Sequence, residues 1–227
     1  MILSGSIANA VAILIGGTLG SIFKKGLPER FANLLMSTLA LFVFLLGVKF
    51  ALEVKQLLVV IFSLVIGAIL GELIDIEKRM EHVGNNIQDK LKGFKGNFSQ
   101  SFVAASILYC VGSMSIMGAL ESGLSNKHSI LFAKSVMDGI ISVLLGSTMG
   151  IGVAAASVPV FIYQGAFTLL AGYIAPYLGS AVVNEMTATG GILLMAMAIN
   201  MLEIKKIKVG NLIPAIFMPI ILMLFVR

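Results

Sequence analysis

Apolar residues fill eight stretches of this chain, at about 2–23, 31–49, 57–74, 102–123, 130–150, 155–175, 187–203 and 211–226, separated by short polar connections. A helix needs about 20 mostly apolar residues to cross the hydrocarbon core of a bilayer, so each stretch predicts a transmembrane helix. No alternating ten-residue pattern of the kind a membrane barrel requires competes with this reading. The predicted fold is therefore all-α, a polytopic transmembrane helix bundle of about eight spans. The sixth stretch is interrupted by Pro159, Gly165 and Gly172, and reads either as one span or as a broken or re-entrant element.

One segment departs from the pattern. In DIEKRMEHVGNNIQDKLKGFKGN, residues 75–97, the apolar positions Ile76, Met80, Val83, Ile87, Leu91 and Phe94 recur every three or four residues with charges between them. That spacing predicts an amphipathic helix lying along the membrane interface. It divides the chain into a first three-span unit (1–74), the segment itself (75–101), a second three-span unit (102–175) and two C-terminal spans (176–227), all within one membrane domain. An odd number of spans per unit would invert the second unit relative to the first, a three-plus-three inverted repeat.

Composition agrees with the class: 58% of residues are hydrophobic and 12% charged. Lipid supplies the apolar solvent that such a surface needs. The net charge of +5 is not a nucleic-acid signature, because the basic residues sit in short clusters between apolar runs. The connections 24–30, 75–101 and 203–209 hold eleven Lys and Arg, while 49–56, 124–129 and the C-terminus hold four. With eight spans, all the rich connections fall on one side, and the positive-inside bias makes that side cytoplasmic and the N-terminus external. The first stretch lacks a basic leader and reads as a retained span, not a signal peptide. Cys110 stands alone, so neither a disulfide nor a cysteine metal site is expected.

Candidate chemistry lies in the polar residues at membrane depth. LFAKSVMDGIISVLLG, residues 131–146, puts Lys134 and Asp138 inside a span. Counted at the 1.5 Å helical rise, Lys134 is about one turn deep and Asp138 about 12 Å deep, near the midplane. Lysine can snorkel its ammonium outward, and the shorter aspartate cannot. An ionised Asp there costs about 2.5–3.5 kcal/mol, far more than the roughly 0.2–0.5 kcal/mol an i,i+4 pair returns, so Asp138 needs partners on other helices or water. Asn9, Ser113, Ser115 and Gln164 fall at similar depth, each either interhelical glue or part of a path around Asp138. Nearer the outer surface, Glu121, Glu185 and Thr187, with His128 and Asn184 beside them, form a candidate acidic mouth.

Glycine pairs at i,i+4 (Gly16/Gly20, Gly67/Gly71, Gly146/Gly150) permit close helix approach, either within one bundle or between the copies of a homodimer. The thirteen methionines pack or face lipid, and His82 and His128 lie outside the spans, so no copper path or other metal site is expected. Phosphate-cradling, zinc-protease and nucleophile motifs are absent, which argues against an enzyme and against a bound cofactor.

The runs GSIANAVAILIGGTLGSI, GLPER, YCVGSMSIMGALESGL, LFAKSVMDGI, NEMTATGGILLMAMAINML and GNLIPAI resemble the uncharacterised bacterial YdfK/YqgA-type membrane proteins over nearly the whole chain. The resemblance implies a multi-pass protein of a bacterial inner membrane and supplies no substrate or site residues. Ser113 and Glu121 stand where that family leads one to expect proline and aspartate, which leaves the backbone near 113 open. Two functions follow as expectations. One is a transporter or channel for an ion or small solute, with Asp138 as its centre, Lys134 as a switchable counter-charge, and Asn9, Ser113 and Gln164 lining the path. The other is a membrane scaffold or regulator that uses 75–97 to bind lipid or a partner.

Overall fold

The computed structural model describes residues 1–24, 28–80, 82 and 98–225. The described residues contain helices and no strands. They are α1 (Ser4–Lys24), α2 (Glu29–Ala51), α3 (Leu57–Ile74), α4 (Phe98–Cys110), α5 (Ser113–Ser125), α6 (Ser129–Met149), α7 (Gly152–Ala155), α8 (Ser157–Leu169), α9 (Ala171–Ile174), α10 (Ser180–Met201), a 3-10 helix (Val209–Ile216) and α11 (Met218–Leu222). Six stretches are long and apolar enough to cross a membrane: Ser4–Phe23, Asn33–Ala51, Leu57–Ile74, Ser129–Met149, Gly152–Leu169 and Ser180–Met201. The chain is a multi-pass membrane protein.

The other two expected spans are not single long helices. The fourth is α4 and α5, bent by 62° at Val111–Gly112. Gly112 has a φ of 105°, a conformation that a side chain would strain. The eighth is the 3-10 helix followed by the one-turn α11, because Pro214 and Pro219 interrupt α-helical hydrogen bonding. The sixth stretch, by contrast, forms one candidate span from Gly152 to Leu169, with a turn at Ala156 and an unbroken helix through Pro159.

Glycine decides the packing. A Cβ on Gly16 or Gly20 would run into the carbonyl oxygen of Gly139 or Val143, and one on Gly146 would lie 2.6 Å from the carbonyl oxygen of Gly17. The backbones of α1 and α6 therefore touch, and the two helices run in the same direction. In the same way Gly47 and Gly191 bring α2 and α10 together antiparallel, and Gly67 and Gly71 seat α3 on the 3-10 helix at Ala215 and Asn211. The paired glycines are thus used inside one bundle. α1, α2 and α3 hardly touch one another; each packs on a later element of the chain. The three helices of the stretch 1–74 are thus held in the bundle by later parts of the chain.

These contacts give the bundle two ends. The N-terminus, 52–56, 126–128 and 170–179 lie at one, and 75–80 and 202–208, the described parts of two Lys- and Arg-rich connections, lie at the other. At the basic end, Asn211 Nδ2 donates to Glu72 Oε2 at 2.6 Å, its Oδ1 accepts from the Glu77 N–H at 2.6 Å, and Lys208 Nζ is 2.5 Å from Glu72 Oε1. The hydrogen bond to Glu72 holds the Lys208 ammonium above the ordinary lysine range. Of the expected amphipathic segment, 76–80 is helical, with Met80 against the core, and His82 is exposed. The rest of it lies outside the described residues.

Candidate functional site

Along α6 the residues Leu131, Lys134, Ser135, Asp138, Ser142, Leu145, Gly146 and Met149 are buried, a stripe at three- and four-residue spacing that faces the bundle. It carries polar groups where a lipid-facing stripe would carry leucine. Because the glycines hold α1 against this face, Asn9 meets Asp138: Asn9 Nδ2 donates to Asp138 Oδ2 at 3.0 Å. Lys134 Nζ donates to Asp138 Oδ1 at 3.1 Å and lies 3.0 Å from Oδ2. Asp138 is 4% exposed, Lys134 8% and Asn9 0%.

Of the two readings of Lys134, snorkelling outward and counter-charge to Asp138, the structure has the second. Its depth suits an ammonium snorkelling outward, yet the side chain turns inward onto the carboxylate. The reason is the buried Asp138, which in a medium of low dielectric gains more from a full opposite charge than from a hydrogen bond alone. The pair that looked too weak as an exposed i,i+4 contact is a buried ion pair with a third member on α1.

One turn further along α6, Ser142 Oγ lies 2.7 Å from the Tyr109 hydroxyl at the end of α4, both fully buried. On the other flank of α1, Gln164 Nε2 donates to Ser115 Oγ at 3.1 Å, joining α8 to α5. The two clusters share a level. Ser6 Oγ on α1 lies 3.5 Å from Thr168 Oγ1 on the antiparallel α8. One turn from that contact, on the same faces, are Asn9 and Gln164. Four helices, α1, α5, α6 and α8, thus bring Asn9, Asp138, Lys134, Ser115 and Gln164 to one layer. Ser113 is half-buried at the first turn after the α4–α5 break, and it is Ser115 that Gln164 meets. Within the layer, Asn9 Oδ1 and Gln164 Oε1 are buried without a hydrogen-bond partner among the described residues.

The expected acidic mouth is not built as read. Glu121, His128 and Asn184 are half-buried, and Glu121 accepts from Ser129 Oγ at 3.4 Å. α10 begins at Ser180 rather than near 187, so Glu185 and Thr187 are within the helix, both buried. Thr187 donates to the Val183 carbonyl one turn back. Glu185 Oε1 accepts the backbone N–H groups of Lys55 and Gln56, each at 2.8 Å, and so caps the entry to α3 from another helix. Its position looked external because a carboxylate in an apolar stretch suggests a water-facing end; the signal missed was the pair of orphan donors at the start of α3. Glu185→Ala is expected to lower stability by about 1.5–3 kcal/mol, the range for a hydrogen bond to a charged acceptor. Limited proteolysis within 52–56 should accelerate with it, whereas Glu185→Gln, which keeps an acceptor oxygen, should cleave nearly as the natural chain does.

At the basic end, α4, α10 and the 202–209 connection enclose a cavity of about 340 Å³ lined in part by Gln100, Val103, Met197, Asn200 and Lys205. Among the described residues no three His, Cys, Asp or Glu side chains gather as a metal site.

A family model described as "Protein of unknown function (DUF554)" matches residues 4–224. The chain is 34% identical to the "Uncharacterized membrane protein YdfK" of Bacillus subtilis (strain 168) over 219 residues, 95% of this chain and 93% of the relative. It is 29% identical to the "Uncharacterized protein YqgA" of Escherichia coli (strain K12) over 219 residues, 94% of this chain and 93% of the relative. No solved structure matches.

Proposed function

For a chain that belongs to the DUF554 family of proteins of unknown function, we propose transport: a bacterial inner-membrane transporter or channel for an ion or small solute, without enzymatic activity. The observation that carries this reading is the layer around Asp138. A carboxylate, an ammonium and two carboxamides, held within the bundle by four helices, are far more polar than packing in lipid requires. Buried charges at membrane depth most often mark a solute or proton pathway, and alternating access needs groups whose pairing can be exchanged. The basic end is the cytoplasmic end in this reading, with the N-terminus outside and the apolar stretches crossing eight times. The cavity beside α4 and α10 then opens on the cytoplasmic side.

The reading is tested in two steps. The purified full-length chain is screened by thermal unfolding against ions and metabolites at two pH values, since a ligand of the folded state raises its stability by mass action. Hits are then offered to proteoliposomes, where the natural chain should move the hit and Asp138→Asn should not. Equal flux by both would remove Asp138 from the path.

One observation favours a scaffold or regulator instead: both carboxylate oxygens of Asp138 are engaged by Asn9 and Lys134, as in a purely structural clasp. In that case Asp138→Asn is silent in cells, and reversing the charges of 77–95 abolishes function.

A further inference from the structure

We infer that the oxygens around Asp138 form a binding site for a dehydrated alkali-metal cation, and that the Lys134 ammonium is the internal competitor occupying its carboxylate. The inference rests on the reading of Asp138 as the centre of the polar layer and names what that centre binds. A hydrated solute would have to be accommodated by donors and acceptors together. What the layer leaves unused is acceptors: Asn9 Oδ1 and Gln164 Oε1, both on fully buried side chains and on facing turns of α1 and α8. Neutral carboxamide, hydroxyl and carboxylate oxygens are the ligands hard cations take. Among the described residues one thiol, that of Cys110, lies within electrostatic reach of Lys134 and Asp138, but no His, Cys, Asp or Glu triad gathers there, and a lone thiol is not the ligand set of a softer metal.

Charge fixes the valence. With Lys134 on Asp138 the layer is neutral; with the ammonium withdrawn it carries one negative charge. A monovalent ion restores neutrality, whereas a divalent one would leave an uncompensated buried charge. Lys134 is also placed to withdraw. It lies five residues into α6, about one turn from the outer end, and its four-carbon stem can carry the ammonium to the interface while the carboxylate stays. The two cations therefore exclude each other at one carboxylate, and entry of the ion from outside coincides with outward movement of the lysine. Asn9 holds the carboxylate in place through Nδ2 and offers Oδ1 to the ion, so one carboxamide serves both states.

The test is thermal unfolding of the purified full-length chain in detergent at constant ionic strength, with choline chloride replaced stepwise by LiCl, NaCl or KCl. One alkali cation should raise the unfolding temperature saturably and more than the others do. Lys134→Met should tighten its apparent affinity by about tenfold or more, since the binding-competent fraction is no longer limited by the ammonium. Gln164→Leu leaves the Lys134, Asp138 and Asn9 contacts intact and should weaken the affinity by about tenfold, the loss of one buried ligand. Identical responses to the three salts and choline would overturn the site. An unchanged midpoint in Lys134→Met would overturn the competition, and should that variant not fold, an unchanged midpoint in Gln164→Leu overturns the ligand set. Flux in proteoliposomes is read separately: solute movement without an alkali-cation response refutes this inference alone, and cation binding without any flux supports the site while refuting transport.

Discussion

Replacing Lys134 and Asp138 together, by Met and Asn, is expected to give a chain that unfolds at or above the temperature of the natural protein and transports nothing. A buried ion pair bears the desolvation of two charges, and well-packed neutral substitutes are often neutral or stabilising by about 1–4 kcal/mol. Here the substitutes fit. Methionine keeps the length of the lysine stem, and an asparagine at 138 still accepts from Asn9 Nδ2 while its own amide can donate to the unpartnered Asn9 Oδ1. The single changes should separate. Lys134→Met strands a buried carboxylate and approaches the roughly 3–5 kcal/mol of a broken pair. Asp138→Asn should cost less, because the lysine can retreat to water. Chemical unfolding of the four chains in micelles gives the order, and flux through proteoliposomes gives the function. A double variant that is stable and still active would make the pair a clasp and nothing more.

The second large effect is steric. Gly16→Leu places a Cβ against the Gly139 carbonyl, and since backbone meets backbone there, α1 and α6 must separate. Overpacking of this kind costs about 1–3 kcal/mol, and more when helices shift. Separation also withdraws Asn9 from Asp138, so the unfolding temperature should fall and cation or solute response should fall with it. Gly172→Leu is the control: nothing lies within 4 Å of its position, and the same added bulk should be nearly silent.

Much of this was legible in the sequence, for reasons specific to each element. Each of the eight apolar stretches corresponds to helix because lipid leaves the backbone little choice. The depth of Asp138 follows from counting residues, and so does its need for partners, among which Asn9 could be named. The break at Val111–Gly112 was legible only as an open backbone near 113, since one glycine and one serine in YCVGSM do not fix a bend and it is the positive φ of Gly112 that shows the turn. Lys134 was legible as two alternatives, and the inward one depends on how much charge α1 and its neighbours leave unmet. Glu185 was misplaced because its partners are backbone donors 129 and 130 residues away, and no side-chain pattern announces those.

The pairing of early helices with late ones bears on how the protein is made. Asn9 waits for a partner 129 residues downstream and Glu72 for one 139 residues downstream. At about 5–20 residues per second of synthesis, α1 spends roughly 6–26 seconds with its glycine face and its asparagine uncovered. During that interval the first three helices have little hold on one another, and lipid is the solvent that covers their apolar faces. Closure of the bundle is then stepwise, α1 on α6 first, and a ribosome that stalls before α10 releases a chain in which Gly47 of α2 has no helix to meet and Glu72 lacks Lys208 and Asn211.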